Sequence, residues 1–210
     1  MKKPSRKAVV LLAGLAALLV FASVGLAGSS GKFKNYNFET GDFAPGWNWD
    51  CSSCNGEWVV SNKKKTPIFG QSWFGPMEKE YSALSDFFNP DTVVMWQEFK
   101  TGSKTSRLSF DLDWKNRADV WCNPGDLDFT NGCNQQFQVF IQAAGDDPFD
   151  NSTAVKTLTQ STNSTPSQQG KTKYSTNLNL PAGAWQLVFA VVTNVDVLNV
   201  GVDEVVLNNG

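Results

Sequence analysis

Alternation of apolar and polar residues is the dominant pattern along this chain. It is clearest in residues 108–114, 137–141 and 185–191, where large apolar side chains occupy every second position. Residues 93–99 and 200–207 are less regular but rich in β-branched and apolar residues. Because successive side chains of a strand point to opposite faces of a sheet, these five runs predict half-buried antiparallel strands.

The order of the predicted elements favours an all-β fold. Turns rich in Gly, Pro and Asn separate the strands, and the sequence shows no βαβ alternation, internal repeat or interdomain linker. The apolar spacing around Leu84 predicts a short helix at 78–87, with a loop carrying one helical turn as the alternative. Residues 161–173 are polar and low in complexity, which predicts a surface loop or a hairpin excursion. We therefore expect one antiparallel β-sandwich domain over residues 28–210.

The N-terminus has the pattern of an export signal. Four basic residues precede an uncharged apolar run from Ala8 to Ala27, and the small residues Gly25 and Ala27 predict cleavage before Gly28. Residues 1–27 are thus a signal peptide, although the run is also long enough to remain as an uncleaved anchor. The expected location is extracellular, cell-surface or periplasmic, with membrane contact only through such an anchor.

Composition excludes several kinds of chemistry. The chain has no histidine, so Ser-His-Asp and Cys-His catalysis and histidine-ligated zinc are absent. Its formal net charge is −2, and the signal carries four of the basic side chains. Lys63–Lys65 is the only basic run after the signal. Nucleic acid is therefore not an expected partner, because phosphate binding depends on lysine and arginine.

The four cysteines of an exported chain predict disulfides. Proximity favours the pairs Cys51–Cys54 and Cys122–Cys133, whereas the crossed pairings would tie a tryptophan-rich loop to an acidic one. Both arrangements stay open at this stage. A zinc site is disfavoured because the second pair lacks the short spacing of zinc ribbons.

All eight tryptophans follow the signal, and their sequence contexts differ. Trp114 and Trp185 lie on the apolar phase of predicted strands, which assigns them to the core. The other candidates lie beside Gly, Pro, Asn or Cys in loop-like contexts, and we expect them to bind a ligand by stacking on sugar rings: Trp47, Trp49, Trp73 and Trp121. The alternative for each is a buried ring that covers an edge of the sandwich.

Pairs of carboxylates raise the question of glycosidase chemistry. Asp111 and Asp113 share one strand face, but their apolar neighbours claim the core and place both acids on the outer face, where exposed acids are ordinary. Asp126 and Asp128 lie in a segment predicted to be a solvated acidic loop. Nothing in the sequence indicates two carboxylates across a substrate groove, so hydrolase activity is disfavoured.

Several segments together resemble a known family. NFETGDFAPGW near the start and VGVDEVVL at the end resemble the bracketing strands of galactose-binding-like jelly-roll domains, the fold of many bacterial carbohydrate-binding modules. EYSALSDFFNPDTVVMWQEF, RLSFDLDW and NQQFQVFIQAAGDDPF resemble exported bacterial β-sandwich proteins, many with a PEP-CTERM-type sorting tail. This chain shows no such tail after its last predicted strand. The resemblance implies a jelly-roll sandwich.

The same resemblance implies a structural calcium ion. In such modules the glutamate of the first motif and the aspartate of the last commonly share calcium, and here these residues are Glu39 and Asp203. Calcium takes six to eight oxygen ligands, which carboxylates and loop carbonyls can supply. The alternative is that Glu39 accepts backbone N–H groups while Asp203 faces solvent.

These observations together predict an exported, non-catalytic binding module whose ligand is a polysaccharide or glycan. A structural or adhesive component of the cell envelope or matrix is the alternative. A glycoside hydrolase is a less favoured third reading.

Overall fold

A computed structural model describes residues 33–102, 106–118, 120–160 and 167–209; the predicted signal peptide lies outside them. The described chain forms ten strands and one 3-10 turn at Asn151–Thr153. The strands are β1 (Asn48–Cys51), β2 (Gly56–Ser61), β3 (Ser82–Phe87), β4 (Asp91–Thr101), β5 (Ser106–Asn116), β6 (Gln136–Ala143), β7 (Lys156–Gln160), β8 (Gln168–Leu178), β9 (Gly183–Thr193) and β10 (Leu198–Asn209). No helix in these segments is long and apolar enough to span a bilayer.

The strands form two five-stranded antiparallel sheets. The first sheet has the order β1-β4-β9-β6-β7, and the second has the order β2-β3-β10-β5-β8. The all-β sandwich expected from the alternating pattern is thereby confirmed. All five predicted strands are present, as β4, β5, β6, β9 and β10.

The main core lies between the two sheets and follows the predicted apolar phase. Leu108, Phe110, Leu112 and Trp114 of β5 all contribute to it and are almost fully buried. Fully burying one large apolar side chain contributes about 1.5–3 kcal/mol, so this layer is the main stabilising element of the fold. Trp185, the other predicted core tryptophan, is half-buried and packs against the same cluster.

Two loops cover the outer face of the first sheet. They bury a small apolar cluster made of Val94, Leu127, Phe140, Val188, Ala190 and Val192. Gln142 Nε2 and Gln186 Nε2 donate to the carbonyls of Asp147 and Asp146, both at 2.8 Å, and so hold loop 144–155 on the sheet. Gln136 Nε2 likewise donates to the Asp126 carbonyl at 2.7 Å and holds loop 122–134. The buried glutamines are therefore satisfied by the backbone of the covering loops.

A long connection from β2 to β3 covers the outer face of the second sheet, and we call residues 62–81 the strap. It turns back on itself through hydrogen bonds from Thr66 N to Gln71 O and from Trp73 N to Lys64 O, at 2.8 and 3.0 Å. Trp73, whose side chain is 5% exposed, lies on its underside. The outer face of this sheet is thus closed to solvent where the strap crosses it.

Two local predictions were wrong. The expected helix at 78–87 is instead strand β3, and all six of its residues are buried. Because the core covers one face of β3 and the strap covers the other, its apolar residues do not alternate, and this removed the strand signal. Polar segment 161–173 was expected to be a loop or a hairpin excursion, but β8 begins at Gln168. This strand lies at the edge of its sheet and is largely exposed, so few apolar residues mark it.

Candidate functional site

Trp47, one of the expected sugar-stacking residues, belongs to the core. Its side chain is 4% exposed, and its ring packs against Phe33, Phe38 and Phe189 at centroid distances of 5.7, 5.5 and 6.0 Å. Its indole Nε1 donates to the Asn35 carbonyl at 3.1 Å. This ring has no open face for a ligand, which corrects the expectation from its Gly-rich context.

The other three loop tryptophans are also covered, to different degrees. Trp73 lies under the strap, and Trp121 is 7% exposed and packs edge-on to Phe137 at 6.1 Å. Trp49 of β1 is half-buried, lies opposite Met95 in the strand register and packs against the main core. The alternative of buried edge-covering rings therefore describes Trp73 and Trp121, while Trp49 keeps a partly exposed surface.

A cavity of about 210 Å³ opens at one end of the sandwich, where the β3–β4 and β9–β10 turns meet. We call it the end pocket. Its lining residues come from these two turns: Phe88, Asn89, Pro90, Thr193, Asn194, Val195, Asp196 and Val197. The cavity combines an aromatic ring with amide and carboxylate groups, so it offers both apolar and hydrogen-bonding contacts to a small ligand.

Phe88 is the most exposed large apolar residue of the described chain, at 64%. It follows directly after the buried strand β3, and the Asn89-Pro90 turn keeps it outside the core. Its ring stacks on Phe69 of the strap with a centroid distance of 5.3 Å and an interplanar angle of 23°. The ring is therefore held in place by the strap while still exposed to solvent.

The polar wall of the end pocket is rigid on one side and free on the other. Asn194 Nδ2 donates to the carbonyls of Phe129 and Gly132, both at 2.7 Å, and Asn194 Oδ1 accepts from Asn134 N at 2.8 Å. By contrast, the Asn89 side chain makes no hydrogen bond to another described residue. Asn194 thus acts as a brace, while Asn89 is available to a ligand.

Asp196 supplies the carboxylate of the pocket. One of its oxygens, Oδ1, accepts from the Val197 backbone at 2.7 Å, which orients the group within its turn. The carboxylate lies on an exposed residue. It can therefore accept hydrogen bonds from hydroxyl groups with its remaining lone pairs.

Both disulfides flank this end of the molecule. Cys51 pairs with Cys54 and Cys122 with Cys133, as sequence proximity favours. The first closes the β1–β2 turn, whose Asn55 Nδ2 donates to the Pro90 carbonyl at 3.4 Å. The second closes the loop that Asn194 braces. The disulfide-closed loops thus support the pocket rim from two sides.

Asp91 fixes the same rim from below. Its buried carboxylate accepts backbone N–H groups of Ser53, Asn55 and Gly56 at 2.8–3.0 Å, and of Thr92 at 2.8 Å. These contacts join the first disulfide-closed turn to the start of β4. The position of Pro90, which lines the pocket, is therefore set by a fully hydrogen-bonded carboxylate.

Trp96 is an aromatic residue that the sequence analysis did not single out. It lies on the outer face of the first sheet, opposite Asn48 and Val188 in the strand register, and is half-buried against the small apolar cluster. Its position in the strand alternation could have identified it: Met95 and Phe99 point into the core, so Trp96 lies on the opposite face of the strand. It offers a second, separate aromatic surface.

Glu39 and Asp203, the expected calcium ligands, lie near one another and both accept backbone hydrogen bonds. Glu39 Oε1 accepts from Tyr81 N at 3.1 Å and from Glu80 N at 3.2 Å. Asp203, which is fully buried, accepts from Glu78 N at 3.1 Å and from Glu204 N at 2.7 Å. Asp203 therefore does not face solvent, contrary to one of the sequence alternatives.

The environment of Asp203 is unfavourable to its negative charge. Burial, together with the charges of Glu204, Asp111 and Glu39, raises the pKa of Asp203 to about 8 against the effect of the Glu204 backbone N–H. A cation would relieve this repulsion. Across the described segments, however, no three acidic or cysteine side chains converge in a geometry that would hold a metal ion.

Asp111 and Asp113 lie on the outer face of β5, as predicted, but they are not exposed. Their side chains are 2% and 1% exposed, because the strap and its neighbours cover this face. Lys171 Nζ lies 3.3 Å from Asp111 Oδ2 and also pairs with Glu78 of the strap. The sequence expectation of ordinary solvated acids was wrong because a segment distant in the chain closes over them.

The fold is that of carbohydrate-binding-module-like β-sandwich domains. TmCBM61, solved in complex with β-1,4-galactotriose, superposes with a TM-score of 0.52 at 14% identity, over 87% of this chain and 100% of that chain. The K3 adhesin domain of Lys-gingipain from Porphyromonas gingivalis gives 0.53 at 16% identity, over 86% and 100%. Tailspike protein 4 of bacteriophage CBA120 gives 0.51 at 10% identity, over 85% of this chain and 21% of that chain. No protein-family model and no curated protein matches the sequence.

Proposed function

We propose that this protein is an exported, non-catalytic carbohydrate-binding module whose ligand occupies the end pocket. The observation that carries the proposal is the exposed Phe88 ring beside Asn89 and Asp196 in one cavity. A sugar ring presents C–H groups on its faces and hydroxyl groups on its rim, so it matches an aromatic surface with polar neighbours. The similarity of the fold to a module solved with a galactotriose supports the same ligand class.

Rigidity of the pocket favours binding. The rim is held by the two disulfides, by Asn194 and by the carboxylate of Asp91, so little conformational entropy is lost when a ligand enters. The Phe88 ring is already stacked on Phe69. Binding then requires only the displacement of water from an exposed ring.

The pocket lacks the groups for glycoside hydrolysis. Hydrolysis commonly uses two carboxyl groups on either side of the scissile bond, and Asp196 is the single acidic residue among those that line the pocket. Asp111 and Asp113, one of the two acid pairs considered from the sequence, lie beneath the strap rather than beside the cavity, and neither Asp126 nor Asp128 of the other pair lines it. This arrangement supports binding without catalysis.

Export is part of the same proposal. Two disulfides are consistent with an oxidising compartment, since intracellular thiols are usually kept reduced. With the N-terminal signal pattern, they support a location outside the cytoplasm.

Phe88→Ala should weaken glycan binding by about 1–3 kcal/mol, a magnitude borrowed from the stacking of nucleic acid bases on aromatic side chains. Its melting temperature should change little, because Phe88 is 64% exposed. A glycan array identifies the ligand, with β-1,4-galactan oligosaccharides as the first series for isothermal titration. Trp96→Ala is the matched control, since it removes an aromatic ring from a different surface.

Two outcomes would contradict this proposal. If Trp96→Ala abolishes binding while Phe88→Ala leaves it intact, the ligand lies on the outer face of the first sheet. If the wild-type protein binds no glycan, the structural or adhesive role becomes the better account. The exposed apolar residues near the end pocket, Phe88, Val195 and Ile68, would then be a protein-contacting surface.

We also propose that Glu39 and Asp203 hold a structural calcium ion. Both residues could supply oxygen ligands, and the raised pKa of Asp203 supports the presence of a neutralising charge at its site. With only two carboxylates, the remaining ligands would be backbone carbonyls and water. Such an ion would join the segment before β1 to the last strand and so stabilise the fold.

Calcium should raise the melting temperature of the wild-type protein. A ligand that binds only the folded state contributes about 2.7 kcal/mol at a hundredfold excess over its dissociation constant. Glu39→Gln and Asp203→Asn should each remove this shift in differential scanning calorimetry, with magnesium as the ion control. A melting curve that neither calcium nor chelator moves would show that backbone N–H groups alone satisfy the two carboxylates.

A further inference from the structure

Asp113 is a buried carboxyl group with little to offset a negative charge. Its side chain is 1% exposed, neither of its oxygens has a hydrogen bond of good geometry among the described residues, and the Gly201 backbone is its one weak donor. It lies in β5 opposite Gly201 of β10. A carboxylate buried in this way is strongly disfavoured, whereas an uncharged carboxyl group is tolerated at far lower cost.

The strap seals this group from water. Trp73 of the strap and Asp113 both pack directly on Gly201, where a Cβ atom would collide with Asp113 and would lie 2.9 Å from the Trp73 ring. The indole Nε1 of Trp73 is also buried without a partner. Asp113 therefore lies where the strap packs directly on the sheet.

Several polar contacts hold the strap on the sheet. Near β3, Glu78 N donates to Asp203 Oδ2 at 3.1 Å, and Lys79 and Glu78 form ion pairs with Glu204 and Lys171. Asp86 Oδ2 accepts from Ile68 N at 2.9 Å, Arg117 Nη2 donates to the Ser72 carbonyl at 2.9 Å, and Gln71 Nε2 donates to the Phe87 carbonyl at 3.2 Å. At its outer edge, Lys115 Nζ lies 4.3 Å from the centroid of the Phe74 ring. A connection on the outer face of a sheet can open at lower free energy than the whole domain unfolds, because its opening leaves the main core between the two sheets intact.

We propose that Asp113 is a proton-operated latch, whose uncharged carboxyl group lets the strap close over the second sheet and whose ionisation opens the strap. Opening admits water to the carboxylate and removes the cost of its burial. The strap then moves as a unit, because its internal hydrogen bonds do not involve Asp113.

Burial has a larger effect on the pKa of Asp113 than the charged groups around it. The charged groups on the elements packed around it are Asp111, Lys115 and Arg117 of β5 and its end, Asp203 and Glu204 of β10, Lys171 and Lys173 of β8, Asp86 of β3, and Lys63, Lys64, Lys65, Glu78, Lys79 and Glu80 of the strap. Burial raises the pKa of Asp113 to about 8, against smaller opposing effects of the Gly201 backbone and the Lys115 ammonium group. Burial also raises the pKa of Asp86, against the hydrogen bonds that it accepts from Ile68 and other groups, so Asp86 acts in the same sense as Asp113.

The latch also bears on the end pocket, and this consequence rests on the proposed function. Phe69 belongs to the strap, and Phe88 of the pocket stacks on it. Opening of the strap would remove that support from the Phe88 ring. Glycan affinity should then weaken as pH rises towards 8 in the wild type, and weaken less in Asp113→Asn.

Hydrogen–deuterium exchange tests the latch without any ligand. The Asp113 carboxyl group stays uncharged under the closed strap up to about pH 8, whereas under an open strap it ionises with an ordinary aspartate pKa. The equilibrium constant for opening the strap should therefore rise about tenfold per pH unit from about pH 5 to pH 8 and then level off. The strap peptide 62–81 reports it after correction for intrinsic exchange, and the β9 peptide 183–193 is the internal reference. In Asp113→Asn the slope of the logarithm of this constant against pH should be smaller by one, because the variant has one fewer ionisable proton.

Asp128→Asn is the matched control, because Asp128 is exposed and the Thr130 side chain holds its pKa below the ordinary value. It should leave the slope unchanged. A strap without this slope in the wild type, an equal slope in Asp113→Asn, or equal acceleration of the β9 peptide would each overturn the latch. If Asp113→Asn does not fold, Asp113→Leu provides the uncharged variant. If the wild-type protein binds no glycan, the proposed function is wrong, and the exchange data still test whether Asp113 controls opening of the strap.

Discussion

Trp47→Ala should lower the free energy of unfolding by about 3–5 kcal/mol, the usual cost of truncating a buried tryptophan. The ring fills the space between Phe33, Phe38 and Phe189, and its Nε1 satisfies the Asn35 carbonyl. The variant loses both the packing and the hydrogen bond. Equilibrium unfolding in urea measures the change.

Two further variants serve as comparisons, one at another core position and one at an exposed position. Trp114→Ala removes another core ring and should cost a similar amount, since Trp114 is 2% exposed. Phe88→Ala removes an exposed ring and should leave the unfolding midpoint nearly unchanged. If Trp47→Ala is as stable as the wild type but loses glycan binding, Trp47 contacts the ligand and is not a core residue.

The free energy of unfolding should fall by about 1.4 kcal/mol per pH unit between about pH 5 and pH 8 through Asp113 alone. Burial raises the pKa of this group to about 8 in the folded protein, whereas the unfolded chain has an ordinary aspartate pKa. Between these values the folded state binds a proton that the unfolded state does not. The stability from Asp113 is therefore fully present in acid and is lost as pH rises through about 8.

Asp113→Asn isolates this contribution. The variant cannot ionise, so its stability should depend on pH less steeply than that of the wild type by one proton, and it should be the more stable protein at pH 8. Urea unfolding at several pH values gives both slopes, with Asp128→Asn as the exposed control. Parallel curves for wild type and Asp113→Asn would show that the carboxyl group is hydrated in the folded state. The slope persists only while the strap stays closed, because an open strap would hydrate the carboxyl group within the folded state.

This fold has aromatic residues that pack in the core and others that are exposed, such as Phe88 at the end pocket. Trp47 and Trp121 lie in Gly- or Cys-rich segments and yet are buried. Phe88 comes directly after a buried strand and yet is exposed. Local composition favoured a ligand role for the two tryptophans and did not single out Phe88, because a small or flexible neighbour indicates a turn but not which side of the turn the core covers.

The sequence by itself determined the β-sandwich and its strongest strands. The alternation in β5, β6 and β9 depends only on neighbouring residues, because the period of a strand is a local property. Proximity along the chain also favoured the observed disulfide pairs. Where one face of a strand meets the core and the other meets solvent, as in β5 away from the strap, the pattern is direct evidence of structure.

The tertiary structure alone decided where the candidate sites are. The end pocket joins residues 88–90 to residues 193–197, and the latch joins Trp73 and Gly201 to Asp113. Strand β3 and the outer-face aspartates were misjudged for the same reason, since the strap buries surfaces that their own segments mark as exposed or ambiguous. Burial and proximity are set by contacts between segments far apart in the chain, and a local pattern carries no information about which segment will cover it.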